Sequence, residues 1–237
     1  MSRYLSILKW EIIRQYKNGI YFVSLFVLIL WITLFIQIKT ISLSSIVPML
    51  ILGNLSLTTF YFLAGILLFE KGEGSLEAQV TTPIRSWEYL SAKVLTLSVL
   101  ATLENLIITI AFVGWRFNFL PVLLGTFLAC CAFCLVGFLT VIRYDSINEF
   151  LLPSMGFMFL LSLPIVSGVW MPHAFFWHLH PIYGSYLWIE SAFQSIESWK
   201  LSGSGIYLML TIFFLGKWSL NEFNRYVVRS EGSKKTS

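Results

Sequence analysis

Charged residues are scarce in this chain of 237 residues, since Asp, Glu, Lys and Arg together make up 12% of it. Hydrophobic residues make up 57% and aromatic residues 17%, and the mean hydropathy is +0.78. Because a soluble globular domain carries about a quarter charged residues, the composition excludes an ordinary soluble domain, and the apolar content excludes intrinsic disorder. Cysteine is also scarce, and all three cysteines lie between Cys130 and Cys134, which excludes a secreted disulfide scaffold. An integral membrane protein is the class that remains.

Long stretches without a charged residue indicate where the chain crosses the membrane. A helix needs about 20 apolar residues to cross the hydrocarbon layer, and the chain has enough such stretches for an all-α protein with six transmembrane helices. The predicted spans are residues 20–38, 45–69, 94–115, 118–142, 150–170 and 204–221. The uncharged stretch that begins at residue 150 contains four prolines, so we expect residues 171–203 to form a re-entrant or surface hairpin outside the cytoplasm. Residues 1–237 are thus predicted to form one transmembrane domain.

Basic residues are distributed unevenly between the two sides of this layout. Thirteen of the 16 lysines and arginines fall on the side that holds the N-terminus. The other three are Lys39, Arg116 and Lys200. Since cytoplasmic loops carry an excess of Lys and Arg, both termini are predicted to be cytoplasmic, in a bacterial-type plasma membrane. The net charge of +4 is therefore a signal of membrane sidedness and gives no support to nucleic-acid binding.

Two further segments lie outside the predicted spans. Residues 1–18 place large side chains at helical spacing among basic residues, a pattern typical of an amphipathic helix on the inner membrane surface. The stripe comprises Tyr4, Leu5, Leu8, Ile12 and Gln15 or Tyr16. Residues 222–237 are predicted to form a polar cytoplasmic tail.

The charged stretch of residues 70–93 joins the second and third spans. Gly74 allows the second span to end, and Pro83 stops a short helix expected before it. We expect Ser75 to cap that short helix and Ser86 to cap the next one. From composition alone, this stretch is either an ordinary solvated loop or an acidic helix that presses on a soluble partner.

Motifs for hydrolysis are absent from the chain. A P-loop requires Gly-x-x-x-x-Gly-Lys followed by Ser or Thr, and the run Gly216-Lys217-Trp218 lacks both the leading glycine and the hydroxyl. The sequence also contains no His-Glu-x-x-His and no Gly-x-Ser-x-Gly, so we predict that the chain is not an enzyme. If it takes part in driven transport, the energy must come from another polypeptide.

The stretch of residues 70–93 resembles the segment after the second span of type-2 ABC transporter permeases, in particular of the drug-export type. That segment contains a charged pair, a Gly-Thr/Ser-Leu-Glu core and a downstream Thr-Pro or Ser-Pro. The matching residues are Lys71, Gly74, Ser75, Leu76, Glu77, Thr82 and Pro83. The N-terminal helix, the six spans and the aromatic hairpin extend the resemblance over nearly the whole chain. It implies that the N-terminal helix contacts ATPase subunits and that residues 73–82, beginning at Glu73, form a coupling helix that contacts them as well.

From this resemblance we expect the permease subunit of an ABC exporter for an amphipathic or lipophilic substrate such as a drug, a lipid or a peptide. The expected partners are ABC ATPase subunits, a second permease chain and membrane lipid, and no nucleic acid. ATP and Mg would be bound by the ATPase, with no cofactor or metal on this chain. Two alternatives stay open. One is the haem-exporter permease of cytochrome c maturation, which His173, His178 and His180 favour, and the other is a membrane scaffold without transport.

Glu104 is the one acidic residue inside a predicted span. A carboxylate in the bilayer must face a bundle interior or water, so Glu104 and Asn105 are candidates for the translocation path or a dimer interface. The alternative is a structural carboxylate hydrogen-bonded to Asn105, to a hydroxyl or to a neighbouring helix. The cysteines of the fourth span are expected to be buried thiols at a helix interface. Asp145 and Glu149 are expected to cap the fifth span or to contact the ATPase.

Overall fold

The computed structural model describes residues 3–36, 43–76, 84–170, 175–180 and 182–228. In these ranges all regular structure is helical, which confirms the prediction of an all-α fold. The helices are α1 Arg3–Lys17, α2 Ile20–Ile36, α3 Leu43–Gly72, α4 Ser86–Val113, α5 Phe119–Val141, α6 Ile147–Trp170, α7 Tyr183–Glu190 and α8 Ser198–Phe223. A 3₁₀ turn at Phe175–Leu179 precedes α7, and a π-helical turn at Asn224–Val228 continues α8.

Four helices in the described ranges are long and apolar enough to cross a membrane. They cover Val47–Gly72, Ser86–Val113, Phe119–Val141 and Ser198–Val227. Helices α1 and α2 are bent by 64° at the break between them. Taken together as one broken span they are also long and apolar enough, and the number of possible crossings is then five. The apolar segment Ile147–Leu163 of α6 is shorter. Four to five crossings are therefore supported, and the layout with six spans stays a prediction.

Some predicted residues lie in the gaps between the described ranges. Glu77, Thr82 and Pro83 of the predicted coupling helix fall in one gap, and His173 of the predicted hairpin falls in another. The described part of the hairpin consists of the 3₁₀ turn, α7 and the start of α8.

Helix α4 begins at Ser86, well ahead of the predicted third span. The Glu88 carboxylate accepts a hydrogen bond from the Arg85 backbone N–H at 2.9 Å and closes the first turn. Ser86 is not the capping residue, contrary to expectation, because Arg85 occupies the cap position. The Ser86 hydroxyl instead donates to the Asn224 side chain at 2.7 Å. Charged residues do not end the helix here, because they pair with charged residues of α1 and α3.

Helix α5 is the centre of the bundle and packs against α3, α4, α7 and α8. Its side chains Phe133 and Phe138 are fully buried. At Gly137, an added Cβ would lie 3.0 Å from the backbone oxygen of Phe60 on α3. A residue without a side chain at this position lets the two helices approach closely, as is typical of helix packing in membranes.

The periphery of the bundle is apolar. Large exposed side chains of α2 and α8 include Phe22, Leu25, Phe26, Ile29, Ile206, Met209, Leu210, Phe213 and Phe214. Soluble monomers rarely leave such helix faces uncovered. Lipid chains are as apolar as these side chains and cover them without cost.

Helix α7 is almost completely buried and packs against α5 and α8. At Gly184, an added Cβ would lie 2.9 Å from the backbone oxygen of Ser204 on α8. The Trp188 indole N–H donates to the backbone oxygen of Leu201 at 3.1 Å. This packing favours the re-entrant form of the predicted hairpin over the surface form.

We expect Gly184→Ala to destabilise the fold by about 1–3 kcal/mol, because rotating a side chain cannot relieve a contact between a Cβ and a backbone oxygen. The matched control is Gly203→Ala on α8, where an added Cβ meets nothing within 4 Å and alanine improves helix propensity. Gly203→Ala should therefore not lower the free energy of unfolding. Melting temperatures of the purified chains in detergent measure both effects, and equal values would contradict the α7–α8 contact.

Candidate functional site

Helix α1 lies at one end of the bundle, here named the α1 end, and packs against α4. Its buried residues are polar, since Glu11 is 3% exposed and Gln15 has no exposed surface. The residues of the predicted stripe on α1 therefore do not share one environment. Gln15 is buried against the bundle, whereas Leu5, Ile12 and Tyr16 are exposed. The reason is that Glu11 and Gln15 meet the polar partners Lys93 and Thr96 on α4, and buried polar groups require such partners.

Four charged side chains, Glu11, Arg14, Glu70 and Lys93, meet at the inner face of α1 and form what we call the charge network. Lys93 Nζ on α4 lies 2.5 Å from Glu70 Oε1 on α3 and 3.1 Å from Glu11 Oε1 on α1. Arg14 contacts both carboxylates as well, with its Nη1 at 2.8 Å from Glu70. Two positive and two negative charges thus join α1, α3 and α4.

Burial makes each member of the charge network dependent on the others. The side chains of Lys93, Glu70 and Glu11 are 0%, 1% and 3% exposed. Removing one charge from water is costly unless a partner compensates it, so loss of one partner leaves another charge buried and unpaired. Burial raises the pKa of Glu11, but the charges of Lys93 and Arg14 outweigh burial and hold that pKa below its usual value. The Glu11 carboxylate therefore stays ionised at neutral pH.

Neutral side chains complete the hydrogen bonds around the charge network. The Tyr89 hydroxyl donates to Glu70 Oε2 at 2.5 Å, and Lys93 Nζ lies 4.8 Å from the centre of the Tyr89 ring. The Gln15 amide donates to the Thr96 hydroxyl at 2.7 Å. These directional bonds fix the register of α1 against α4.

The first turn of α1 is tied to the first turns of α4 by a second set of contacts. Arg3 lies 2.8 Å from Glu88 Oε2. The Tyr4 hydroxyl donates to Ser91 at 3.1 Å, and the Tyr4 ring stacks on Trp87 with 5.9 Å between ring centres. Because the Arg3 side chain is half exposed, its ion pair contributes less than the buried network does.

Lys71, the first of the predicted coupling residues, joins α3 to the end of α5. Its ammonium group donates to the backbone oxygens of Ile142 and Tyr144, each at 2.7 Å, and lies 3.2 Å from the Asp145 carboxylate. A lysine at a helix C-terminus satisfies free carbonyl groups and complements the helix dipole. Movement of α3 at this point is therefore shared with α5.

The residues after Lys71 form the turn that the sequence predicted. Helix α3 ends at Gly72, and Gly74 has a φ of +67°, a conformation that glycine adopts without strain. The Ser75 hydroxyl donates to the backbone oxygen of Glu70 at 3.3 Å, so Ser75 secures the end of α3. The short helix that Ser75 was predicted to cap lies outside the described ranges. Leu76 is buried, with 2% of its surface exposed, and anchors the turn in the core.

A cleft of about 780 Å³ separates α1 from this turn. Its α1 wall includes Ile7, Trp10 and Lys17, and Glu73 and Ile84 lie on the other side. The cleft therefore opens between the two segments that the resemblance assigns to ATPase contact, which are α1 and the predicted coupling helix.

Asp145 and Glu149 differ in what they do at the start of α6. The Ser146 hydroxyl accepts a hydrogen bond from the Glu149 backbone N–H at 3.3 Å, so Ser146 is the residue that caps α6. Asp145 pairs with Lys71 while its side chain stays 91% exposed. Contact of either acidic residue with an ATPase stays a prediction.

Glu104 and Asn105 lie within α4 in a second polar group, here named the Glu104 cluster with Ser24 and Asn54. The Ser24 hydroxyl on α2 donates to Glu104 Oε2 at 3.1 Å, and the Asn54 amide on α3 donates to Asn105 Oδ1 at 3.1 Å. The Asn105 amide donates to the backbone oxygen of Ala101 at 2.7 Å. All four side chains belong to residues at most 4% exposed. Glu104 thus faces the interior of one chain, and a role in the translocation path or a dimer interface stays a prediction.

The three cysteines of α5 lie against neighbouring helices. Each sulfur lies 3.5 to 3.9 Å from an oxygen of α3 or α4, and the pairs are Cys131 with Ser98, Cys130 with Thr102 and Cys134 with the backbone of Thr59. Among the residues that the structure describes, no group of three or more His, Cys, Asp or Glu is arranged to hold a metal ion.

His180 joins α6 to the start of α7. Its Nδ1 accepts from the Ile182 backbone N–H at 3.2 Å, and its Nε2 donates to the backbone oxygen of Leu160 at 3.2 Å. His178 packs against an aromatic ring of α7, and His173 lies outside the described ranges. Both ring nitrogens of His180 are engaged within the chain, so this residue gives no support to haem ligation.

The charge network was not predicted from the sequence, and neither were Ser24 and Asn54 of the Glu104 cluster. Glu70 and Lys93 were placed at the two ends of the charged stretch between the second and third spans, because charges normally mark the end of a span. A signal existed in α1, where Glu11 and Gln15 lie one turn apart and so share a face. Ser24 was overlooked because one hydroxyl in an apolar span is common, although such a group often bonds to another helix.

We expect Lys93→Met to destabilise the protein by about 3–5 kcal/mol, because it leaves two buried carboxylates with one remaining cation. Adding Glu11→Gln restores the balance of charge between Arg14 and Glu70, so the double variant should recover most of the lost stability. Thermal unfolding of the purified chains measures both effects.

The matched control for this prediction is Lys200→Met. Lys200 pairs with Glu197, and the two side chains are 40% and 61% exposed, so the expected cost is about 0–1 kcal/mol. If Lys93→Met proved as stable as Lys200→Met, Lys93 would not be compensating buried charge.

Comparison with known proteins identifies the family. The profile of the fluoroquinolones export permease protein family matches residues 2–231, which include every helix of the structure. Two proteins named fluoroquinolones export permease, from two strains of Mycobacterium tuberculosis, are each 27% identical to the chain over 238 residues. The alignments cover 98% of this chain and 99% of each relative. With its apolar helices, the protein is a multi-pass membrane protein, and it belongs to the fluoroquinolones export permease protein family.

Proposed function

We propose that this chain is the membrane-spanning permease subunit of an ABC exporter. The family supports export, because its name assigns that role to its members. The sequence supports a separate motor, because the chain has no P-loop with which to bind and hydrolyse ATP. In this proposal ATP and Mg are bound by partner ATPase subunits, and two permease chains, identical or different, enclose the pathway.

In this proposal the α1 end faces the cytoplasm, and the chain crosses the membrane six times through α2, α3, α4, α5, α6 and α8. Thirteen of the 16 basic residues then lie on the cytoplasmic side, as the positive-inside rule requires. Helix α1 lies at the inner membrane surface, where its exposed residues Leu5, Ile12 and Tyr16 meet the lipid headgroup region.

The observation that carries the proposal is the charge network, which joins α1 to α3 and α4 beside the predicted coupling segment. The proposed ATPase contact consists of α1 and the segment that holds the predicted coupling residues, which are Lys71, Glu73, Gly74, Ser75, Leu76, Glu77, Thr82 and Pro83. A displacement of α1 that left Lys93 behind would strand buried charges at a cost of about 3–5 kcal/mol. Helices α3 and α4 therefore follow α1 when the ATPase moves it.

Lys71 extends this connection to a fourth helix. Its two bonds to backbone oxygens at the end of α5 mean that force on the coupling segment reaches α3 and α5 together. The elements near the proposed ATPase contact are thereby linked to the helices at the centre of the bundle.

ATP can drive the export cycle only if the ATPase binds one arrangement of the spans more tightly than another. Coupling free energies between sites are typically about 1–3 kcal/mol. That is less than the cost of breaking the charge network, so the spans rearrange while the network stays intact.

The proposed substrate is an amphipathic aromatic drug of the fluoroquinolone type. Support comes from the names of the relatives and from predicted spans that contain few charged residues. An apolar lining suits a substrate that partitions into the membrane before it is exported.

We expect Glu77→Lys to weaken binding of the ATPase, because it reverses a charge in the proposed coupling helix. The measurement is the amount of ATPase that co-purifies with the tagged chain, together with the rate of ATP hydrolysis by the complex. Glu197→Lys is the control, since Glu197 is exposed and is predicted to lie on the opposite side of the membrane. Membrane insertion should be unchanged in both variants, and wild-type complex formation and turnover for Glu77→Lys would remove Glu77 from the contact.

We expect cells that express the chain with its ATPase to accumulate less norfloxacin than cells that express the Glu77→Lys variant with the same ATPase. Drug content of washed cells, measured by its fluorescence, reports the difference. Equal accumulation in the two strains and in cells without the chain would argue against drug export.

A further inference from the structure

Two oxygen atoms of the Glu104 cluster are buried without a hydrogen-bond partner among the described residues, namely Glu104 Oε1 and Asn54 Oδ1. Both atoms are acceptors when Glu104 is ionised. Buried polar atoms are almost always paired. The Asn54 amide lies close enough to interact with the Glu104 carboxyl group, but its hydrogen bond goes to Asn105. Two orphaned acceptors in one cluster therefore point to a missing donor.

The charge of an ionised Glu104 would also lack compensation. Along α4 the nearest cation is Lys93, which is about 16 Å away at the helical rise and is bound to two carboxylates. The helices that pack against α4 carry further titratable groups, which include Glu11 and Arg14 of α1, Tyr21 of α2, Tyr61, Glu70 and Lys71 of α3, Cys130, Cys131 and Cys134 of α5 and Glu222 of α8. Of these, Cys130 is close enough to interact with Glu104, and a thiol supplies no positive charge.

We propose that Glu104 is a proton-binding site in this arrangement of the helices. The proton resides on Oε1, which donates to Asn54 Oδ1, while Oε2 continues to accept from the Ser24 hydroxyl. A single proton satisfies both orphaned oxygens and removes an uncompensated charge from a span, where charges are expensive. Helices α2, α3 and α4 are then joined by a neutral hydrogen-bonded cluster.

The site binds its proton only while α2 and α3 cover the carboxyl group. A rearrangement that moves α2 away from α4 admits water, the O–H bond breaks, and the proton passes to water and leaves a hydrated carboxylate. The arrangement in which Glu104 is covered holds a proton, and the arrangement in which water reaches Glu104 releases it. Higher pH therefore favours the arrangement in which Glu104 is hydrated. If the proposed export function holds, this makes the transport cycle sensitive to pH as well as to nucleotide.

Infrared difference spectroscopy tests the site in the purified chain in lipid nanodiscs at neutral pH. The spectrum of the wild type minus that of Glu104→Gln should contain the carbonyl-stretch band of a protonated carboxylic acid. The control is Glu149→Gln, a change of an exposed glutamate at the start of α6, which should leave that band in place. If the only band lost in Glu104→Gln is that of an ionised carboxylate, the proposal is wrong.

Thermal unfolding provides a second readout. A glutamine amide can donate to Asn54 and accept from Ser24, so Glu104→Gln should melt within about 2 °C of the wild type, whereas Glu104→Ala should melt several degrees lower. The melting temperature of the wild type should fall as pH rises, because the covered carboxyl group loses its proton. This dependence of the melting temperature on pH should be absent in Glu104→Gln.

Two outcomes would overturn the proposal. Glu104→Gln that melts as low as Glu104→Ala would show that a neutral hydrogen-bonding side chain does not replace Glu104. Stabilisation of the wild type by sodium but not by choline would indicate a metal cation in place of the proton. Both experiments use the permease alone, so their failure is distinguishable from failure of the proposed export function.

Discussion

The position of α1 depends on Lys93, a lysine without exposed surface that is shared between a carboxylate of α1 and a carboxylate of α3. Such an arrangement is not needed for stability as such, because well-packed apolar residues of similar volume often serve a core equally well. Its effect is to select one arrangement, since separating Glu11 or Glu70 from Lys93 leaves a buried charge unpaired. Helices α1, α3 and α4 are thereby held in one relative position, and α5 packs against two of them.

Helix α4 carries both polar groups, and their depths differ. Lys93 belongs to a charge-balanced network at the α1 end, whereas Glu104 lies about 16 Å further along the helix among neutral partners. A neutral cluster suits the deeper position, because charge becomes more costly toward the bilayer centre. A rigid helix that joins the two groups provides a physical route from the proposed ATPase contact to the contact between Ser24 and Glu104.

Local requirements were predictable from the sequence, and distant pairings were not. The bilayer demands about 20 apolar residues per crossing, which revealed the helical character, and the backbone freedom of glycine revealed the turn at Gly74. Glu11 and Lys93 are 82 residues apart, and Ser24 and Glu104 are 80 residues apart, so no local pattern links them. The start of α4 was predicted within one residue, because Ser86 was expected to cap it. The contacts of its charged residues with α1 and α3 were not predicted, for the same reason.

The central claim is that α1, α3 and α4 move as one unit, and distances between spin labels test it most directly. Labels attached through Lys9→Cys on α1 and Val99→Cys on α4, both exposed positions, would be measured by electron resonance in a chain whose native cysteines are replaced by alanine. We predict that ATP leaves this distance unchanged in the assembled complex, while the distance from Lys9 to Leu152 on α6 changes. A change in the distance between Lys9 and Val99 on addition of ATP would contradict the claim.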